Sequence, residues 1–261
     1  MRTTKEKLFR QKQDGGWLAV MKTFSITDAG VKREYNQDYV YCSTDKLGIL
    51  DNLLIVADGM GGHNAGDFAS RYSVEEFVKY IENAEEKTII GCFEAGIVNI
   101  NRAVLEKASQ DLSLAGMGTT FVAATVNDGS LYVANVGDSR LYVISGNKIV
   151  QITQDHSLVE EMIKSGQIKR EEARLHPKKN VITRAIGVDK EVIPDFFEVE
   201  LKQRDIILMC SDGLSNMLED GEICSIILKN REDLYHAAGE LVSRANENGG
   251  PDNISVILAE Y

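Results

Sequence analysis

The chain has 261 residues, 43% of them hydrophobic and 26% charged, which is enough for a well-buried core in one large domain or two small ones. Its formal net charge of -11 excludes a general nucleic-acid binder, which needs surplus lysine and arginine. Cys42, Cys92, Cys210 and Cys224 are widely spaced with no CxxC pair, which argues against a structural zinc site, and no apolar run is long enough for a signal peptide or a membrane span.

The first 20 residues are polar and irregular, and they are expected to form a disordered extension ahead of a domain over 21–261. From Thr23 the chain reads strand, turn, strand: TFSIT, then YVYCS. The run LLIVA is short, apolar and β-branched, as a strand buried on both faces should be, and it is expected to end at Asp58-Gly59. Two amphipathic helices follow, one with Val74, Phe77, Val78 and Ile81 at helical spacing, the other with Ile89, Phe93, Ile97, Ile100 and Val104. TTFVAATV, LYVANV, RLYVI and KIVQIT then read as an antiparallel meander, with turns at Asn127-Asp128-Gly129 and Ser145-Gly146-Asn147.

From about 155 to 184 the pattern loosens. Ser157 and Glu160 suggest a capping box for a short helix ended by Gly166, and the charged stretch after it reads as a flap outside the sheets. Strands resume at FFEVE and DIILMC, the latter closing on Asp212-Gly213. Helices are expected from Asp220 to Leu228 and around Leu234, Ala238, Leu241, Val242 and Ala245, before a Gly-rich turn and the final strand ISVILAEY. Strands in runs and helices in pairs predict an α+β fold, two packed antiparallel β-sheets flanked by pairs of helices in an α-β-β-α sandwich.

Asp58 and Asp212 each close an apolar strand before a glycine, and Asp252 lies in the turn before the last strand. Asp-Gly is an ordinary turn dipeptide. A carboxylate at a strand's end can also face a cleft, and several meeting there repel one another unless cations intervene. Hard oxygen ligands of this kind suit Mg²⁺ or Mn²⁺. By spacing alone Arg33, flanked by Lys32 and Glu34, reads as a solvated surface arginine.

The strings DAGVKREYNQDYVY, LLIVADGMGGHNAG, GMGTTFVAA, VANVGDSRLYVI, LMCSDGLSN and GGPDNISVILAEY occur in this order. The set resembles the protein phosphatase 2C family of metal-dependent serine/threonine phosphatases in its compact bacterial form, over about residues 21–261. The resemblance implies hydrolysis of phosphoserine and phosphothreonine by a water activated between two Mn²⁺ or Mg²⁺ ions. Asp58 would bridge the metals, with the Gly59 carbonyl on one and Asp212 and Asp252 on the other. Asp38 would stand beside them and hold a bound water. Asp138 matches an aspartate for a weaker third metal, though a turn aspartate in GDSR needs no such role. Arg33 matches the phosphate-binding arginine, whose guanidinium can grip two oxygens. Gly116, Gly118, Thr119 and Thr120 read as packing near the centre.

Many eukaryotic members have a histidine, a candidate general acid, where this chain has Met60. His63, His156 and His176 are alternatives, and none is assigned. Phosphoprotein substrates and a partner serine/threonine kinase are implied, with no nucleic acid or membrane partner, for a monomeric, cytoplasmic enzyme. A non-catalytic phosphoprotein-binding module on the same fold is the competing reading, although such a chain would typically have lost one of Asp58, Asp212 and Asp252.

Overall fold

The structure, a computed structural model, describes residues 3–7, 21–62 and 65–261, the first segment by its backbone only. In chain order the elements are β1 (Thr3–Lys7), β2 (Lys22–Asp28), β3 (Asp38–Ser43), β4 (Leu53–Met60), α1 (Ala65–Glu82), α2 (Ile89–Gln110), β5 (Gly118–Thr119), β6 (Phe121–Asn127), β7 (Ser130–Val136), β8 (Arg140–Ser145) and β9 (Lys148–Gln151). They continue with α3 (Leu158–Lys164), α4 (Arg170–Ala173), β10 (Asp195–Glu200), β11 (Ile206–Cys210), α5 (Asp212–Ser215), α6 (Asp220–Lys229), α7 (Leu234–Glu247) and β12 (Ile254–Glu260). Apart from β1, which pairs with β2, the proposed extension over 1–20 lies outside the described residues.

Two antiparallel sheets pack face to face. The first has the order β1-β2-β12-β11-β8-β9, the second β10-β7-β6-β4-β3 with β5 added beside β4. The apolar runs are continuous because both faces of each central strand are buried. In β11, Ile206, Leu208 and Cys210 face α6 and α7, while Ile207 and Met209 face the other sheet. In β4, Leu53, Ile55 and Ala57 pack with α1 and α2, while Leu54 and Val56 join the seam between the sheets. Thr88 caps α2 by accepting the Gly91 N–H at 3.2 Å, and Asp233 caps α7 by accepting that of His236 at 3.0 Å. The α+β sandwich expected from the pattern is therefore the fold observed.

Three local expectations change. The meander breaks: β6 and β7 form a hairpin in the second sheet, β8 and β9 one in the first, and the chain crosses between sheets at Gly137-Asp138-Ser139. Gly137 makes the crossing with φ +109°, where a Cβ would strike Thr120 at 2.6 Å. Second, β4 does not stop at Asp58 but runs to Met60, because β5 supplies fresh pairing to Gly59 and Met60. Third, a single helical turn, α5, starts at Asp212 directly after β11. Four residues are too few for a period to reveal.

The segment 155–184 leaves β9, forms α3 and α4, and returns beside its own start through a Ser157–Ile182 bridge. Ser157 accepts the Glu160 N–H at 3.3 Å, while the Glu160 carboxylate turns to Arg170 at 2.9 Å, so the box is half formed. Gly166 follows α3 with φ +72°.

Candidate functional site

The alternation that builds the seam also builds the site. Asp58 lies two and four residues beyond Val56 and Leu54, so the β4 pleat carries its side chain on toward the same inter-sheet face. Asp38 is its direct cross-strand partner at the start of β3. Like charges directly opposite on a sheet repel. From the first sheet, β11 runs out through Ser211 into Asp212, and the turn before β12 brings in Asp252. The two turns touch: a Cβ on Gly213 would come within 2.0 Å of the Asn253 carbonyl oxygen. Asp138, on the crossover from β7 to β8, is buried, whereas Asp58, Asp212 and Asp252 are partly exposed.

The electrostatics place these carboxylates around one another. Burial raises the Asp58 pKa well above the usual carboxylate range, and the charges of Asp38, Asp212, Asp138 and Asp252 raise it further, in that order. Burial pushes Asp38 up to about 7, against hydrogen bonds from Ser211 and Ser255, with Asp212 and Asp252 adding to the rise. Asp212 is pushed up to about 6 by burial and by Asp252, offset in part by Arg140, Lys179 and Arg33. Asp138 is likewise raised by burial, Asp212 and Asp155.

Hydrogen bonds hold the backbone here. Asp58 N–H donates to Thr120 Oγ1 at 2.9 Å, Thr120 N–H returns to the Asp58 carbonyl at 2.9 Å, and Thr119 Oγ1 donates to the same carbonyl at 2.9 Å. Ser211 Oγ donates to Asp38 Oδ2 at 2.7 Å, and Asn216 Nδ2 donates to Asp212 Oδ2 at 2.9 Å. Asp38 Oδ1 and Asp212 Oδ1 are buried with no hydrogen-bond partner. Gly59 owes its lack of a side chain to packing: a Cβ there would meet the Gly66 carbonyl at 2.0 Å, at the start of α1.

Arg33 comes to the site as well. Its Nη2 donates to Asp252 Oδ2 at 2.8 Å while half the side chain stays exposed. The hydrogen bond and charge of Asp252 raise its pKa, and Asp58 and Asp212 contribute at longer range. On the far side, Asp138 and Asp212 open into a cleft of about 540 Å³ under the flap, lined also by Arg170, Arg174 and Lys179. The histidines are elsewhere engaged. Buried His156 accepts the Gly137 N–H through Nδ1 at 3.1 Å, so its ring proton sits on Nε2, 3.1 Å from Asp195 Oδ2. Burial lowers its pKa. His176 Nδ1 accepts the Lys178 N–H at 3.2 Å within its own turn, and His63 lies outside the described residues.

Among the described residues, no three histidine, cysteine or acidic side chains are drawn closely enough to hold one ion by themselves. The donor set nevertheless fits hard cations, which keep several waters and bind through a few carboxylate and carbonyl oxygens. The buried orphan oxygens of Asp38 and Asp212 and the mutual repulsion at Asp58 are what such charge would relieve. Sequence reasoning missed Ser211, Asn216 and Asn253, polar residues of ordinary type that matter only through their partners in space.

Comparison with known proteins gives the family and the fold. The family described as Protein phosphatase 2C matches residues 30–258. A serine/threonine phosphatase from Listeria welshimeri, Stp, is 39% identical over 247 residues, covering 90% of this chain and 93% of its own. The solved serine/threonine phosphatase of S. agalactiae superposes with a TM-score of 0.85 at 36% identity, covering 92% of this chain and 99% of its own. The catalytic domain of the phosphatase PstP, solved in complex with two manganese ions, superposes with a TM-score of 0.80 at 31% identity, covering 92% of this chain and 98% of its own. With the motifs in order, the sandwich in place and the aspartates at its seam, this chain belongs to the protein phosphatase 2C family.

Proposed function

We propose that Asp58, the Gly59 carbonyl, Asp212 and Asp252 hold two divalent cations, Mn²⁺ or Mg²⁺, with Asp38 beside them, Asp138 serving a third, and Arg33 gripping the substrate phosphate. The chain is a protein-serine/threonine phosphatase, and its substrates are phosphoproteins. The observation that carries the residue-level reading is Asp58, whose ionisation is opposed by four other aspartates from four separate parts of the chain. Such a cluster is stable in its charged form only with added positive charge.

When bound, the cations lower the pKa of water at the site and offset charge on the phosphoryl oxygens. The chain's own residues do the rest. Ser211 occupies Asp38 Oδ2, which leaves Oδ1, buried and without a partner, as the oxygen that would accept a hydrogen bond from a bound water. Arg33, exposed on one side and paired with Asp252 on the other, can turn a fork of donors to the phosphate while staying anchored. A water oxygen bonds to phosphorus as the bond to the serine or threonine oxygen breaks; the attacking water loses a proton to solvent and the departing oxygen takes one up, giving inorganic phosphate and the free hydroxyl. None of the four cysteines and no serine is set as a nucleophile on this path, so a phosphoenzyme is not expected. His156 and His176 are held in structural hydrogen bonds, and no side chain is assigned as the acid that protonates the leaving group.

The flap over 155–184 covers the cleft next to Asp138 and Asp212, and its Arg170, Arg174 and Lys179 suit an anionic peptide, so we assign it to substrate choice. Exchanging it for a relative's flap should change peptide preference and leave p-nitrophenyl phosphate turnover alone. A serine/threonine kinase that makes the substrates, a monomeric state and a cytoplasmic location complete the proposal. Among the described residues no helix is long and apolar enough to cross a membrane.

The test is phosphate release from p-nitrophenyl phosphate and a phosphothreonine peptide across Mg²⁺, Mn²⁺, Ca²⁺ and Zn²⁺. Turnover with Mn²⁺ that EDTA abolishes is expected. Silence with every metal would leave a phosphoprotein-binding module.

A further inference from the structure

We propose that Asn253 is a positioning residue for substrate phosphate, acting through Arg33. Arg33 sits on an exposed loop, residues 29–37, between β2 and β3. A long, half-exposed arginine on such a loop has little of its own to hold it. Within the loop Asn36 Nδ2 donates to Thr27 Oγ1 at 2.7 Å, and from the facing turn a second side chain closes it. The Asn253 amide nitrogen donates to the Ala29 carbonyl and to the Tyr35 carbonyl, each at 3.0 Å, and so ties together the two ends of the stretch that carries Arg33. Its amide oxygen accepts the Gln37 N–H at 2.8 Å, one residue before Asp38. The orientation of the amide is dictated by these partners, since two carbonyls can only face the NH₂ and an N–H can only face the oxygen.

Asn253 is buried and both of its donors are used. Its own N–H donates to Asp252 Oδ1 at 2.9 Å, and Asp252 Oδ2 is the partner of Arg33. The loop is fitted to this clasp elsewhere too. Val31 and Lys32 N–H groups donate to the Gly250 carbonyl at 2.8 and 3.1 Å. Gly30, at φ +77°, has no room for a Cβ, which would fall 2.1 Å from the Asp252 carbonyl oxygen. A turn before a strand accepts many residues, whereas a residue making three bonds across a loop does not.

The inference rests on Arg33 being the phosphate grip, and the experiment separates the two. Using the full chain with Mn²⁺, KM for p-nitrophenyl phosphate and inhibition by inorganic phosphate are measured for wild type, Arg33→Ala, Asn253→Ala and the double variant. Asn253→Ala is expected to raise KM and weaken phosphate inhibition together by about tenfold, with kcat much less affected, as for a misplaced binding group. In the Arg33→Ala background it should then change neither. Asn52→Ser is the control for mere destabilisation. Asn52 is a buried asparagine bonded to Val126 at 2.7 and 2.8 Å ahead of the far end of β4, and its loss should lower the melting temperature and leave KM alone.

Effects of Arg33→Ala and Asn253→Ala that multiply would overturn the inference, as would a matching KM change in Asn52→Ser. An Arg33→Ala enzyme with unchanged KM and phosphate inhibition would overturn the phosphate-grip reading and this inference with it. If Asn253→Ala does not fold, Asn253→Ser, which keeps one polar group for Gln37, takes its place in the cycle. Amide exchange over residues 30–37 of the metal-free chain gives a readout independent of turnover. It should quicken in the Asn253 variant, and unchanged protection there would also overturn the inference.

Discussion

The middle of the inter-sheet seam and its end are made by the same strands on the same face, and they have opposite energetics. In the middle, Leu54, Val56, Ile207, Met209 and Ile257 interlock, and each such burial contributes about 1.5–3 kcal/mol. One pleat further on, Asp38, Asp58, Ser211 and Ser255 occupy the corresponding places, and there burial opposes the ionised state of the carboxylates. A sheet's alternation thus delivers a side chain to the seam whether it is a leucine or an aspartate. The proposed metal site lies where the apolar run stops and the face does not.

The largest effect should come from removing charge at the end of the seam. Asp58→Asn or Asp212→Asn is expected to cut Mn²⁺-dependent turnover by at least about 10²–10³-fold. In EDTA the same variants should melt no lower than wild type, because repulsion is relieved. A variant that loses activity only because it unfolds would break the comparison. Gly213→Ala should come next, since the new methyl strikes the Asn253 carbonyl and drives the Asp212 and Asp252 turns apart. Weaker Mn²⁺ binding by calorimetry is the expected sign. In the middle of the seam, Met209→Ala should cost about 2–5 kcal/mol in a denaturant titration and leave turnover intact.

The pH dependence sharpens the same contrast. Asp38, at about 7, and Asp212, at about 6, hold their protons more tightly in the folded than in the unfolded chain. Their contribution to stability is fully present below the unfolded value near 4 and is lost as pH rises through 6 and 7. The metal-free protein should therefore melt lower at pH 8 than at pH 5, and Mn²⁺ should narrow the gap. A metal-free melting temperature that climbs over that range would contradict the cluster. The smallest effect is expected of Ser211→Ala, which removes the hydroxyl on Asp38 Oδ2 and should lower turnover by only a few-fold, a loss of about one hydrogen bond.

The relation between sequence and structure is uneven in an informative way. The helix pair with Phe77 and Phe93, and the strands ending near Asp58 and Asp212, were legible because apolar period and run length report burial directly. The break in the meander at Gly137 was not, because a turn that crosses between sheets and one that folds back carry similar residues. Nor was the fate of His156: a lone histidine in a loop is compatible with an acid role until Gly137 and Asp195 are seen around it. Arg33 read as a surface charge from its neighbours in sequence, and its meeting with Asp252, 219 positions away, belongs to the fold.

By itself, then, the sequence determined the layered α+β architecture and the identity of the acidic residues, since hydrophobic periodicity and ordered motifs are local properties of a chain. Only the tertiary structure decided that Asp38 stands opposite Asp58, that Ser211 and Asn253 hold their neighbours in place, and that burial and neighbouring aspartate charge raise the pKa values of Asp38, Asp58, Asp138 and Asp212. Those facts depend on strand register and on contacts between remote segments, and the energy that sets them is shared across the whole seam.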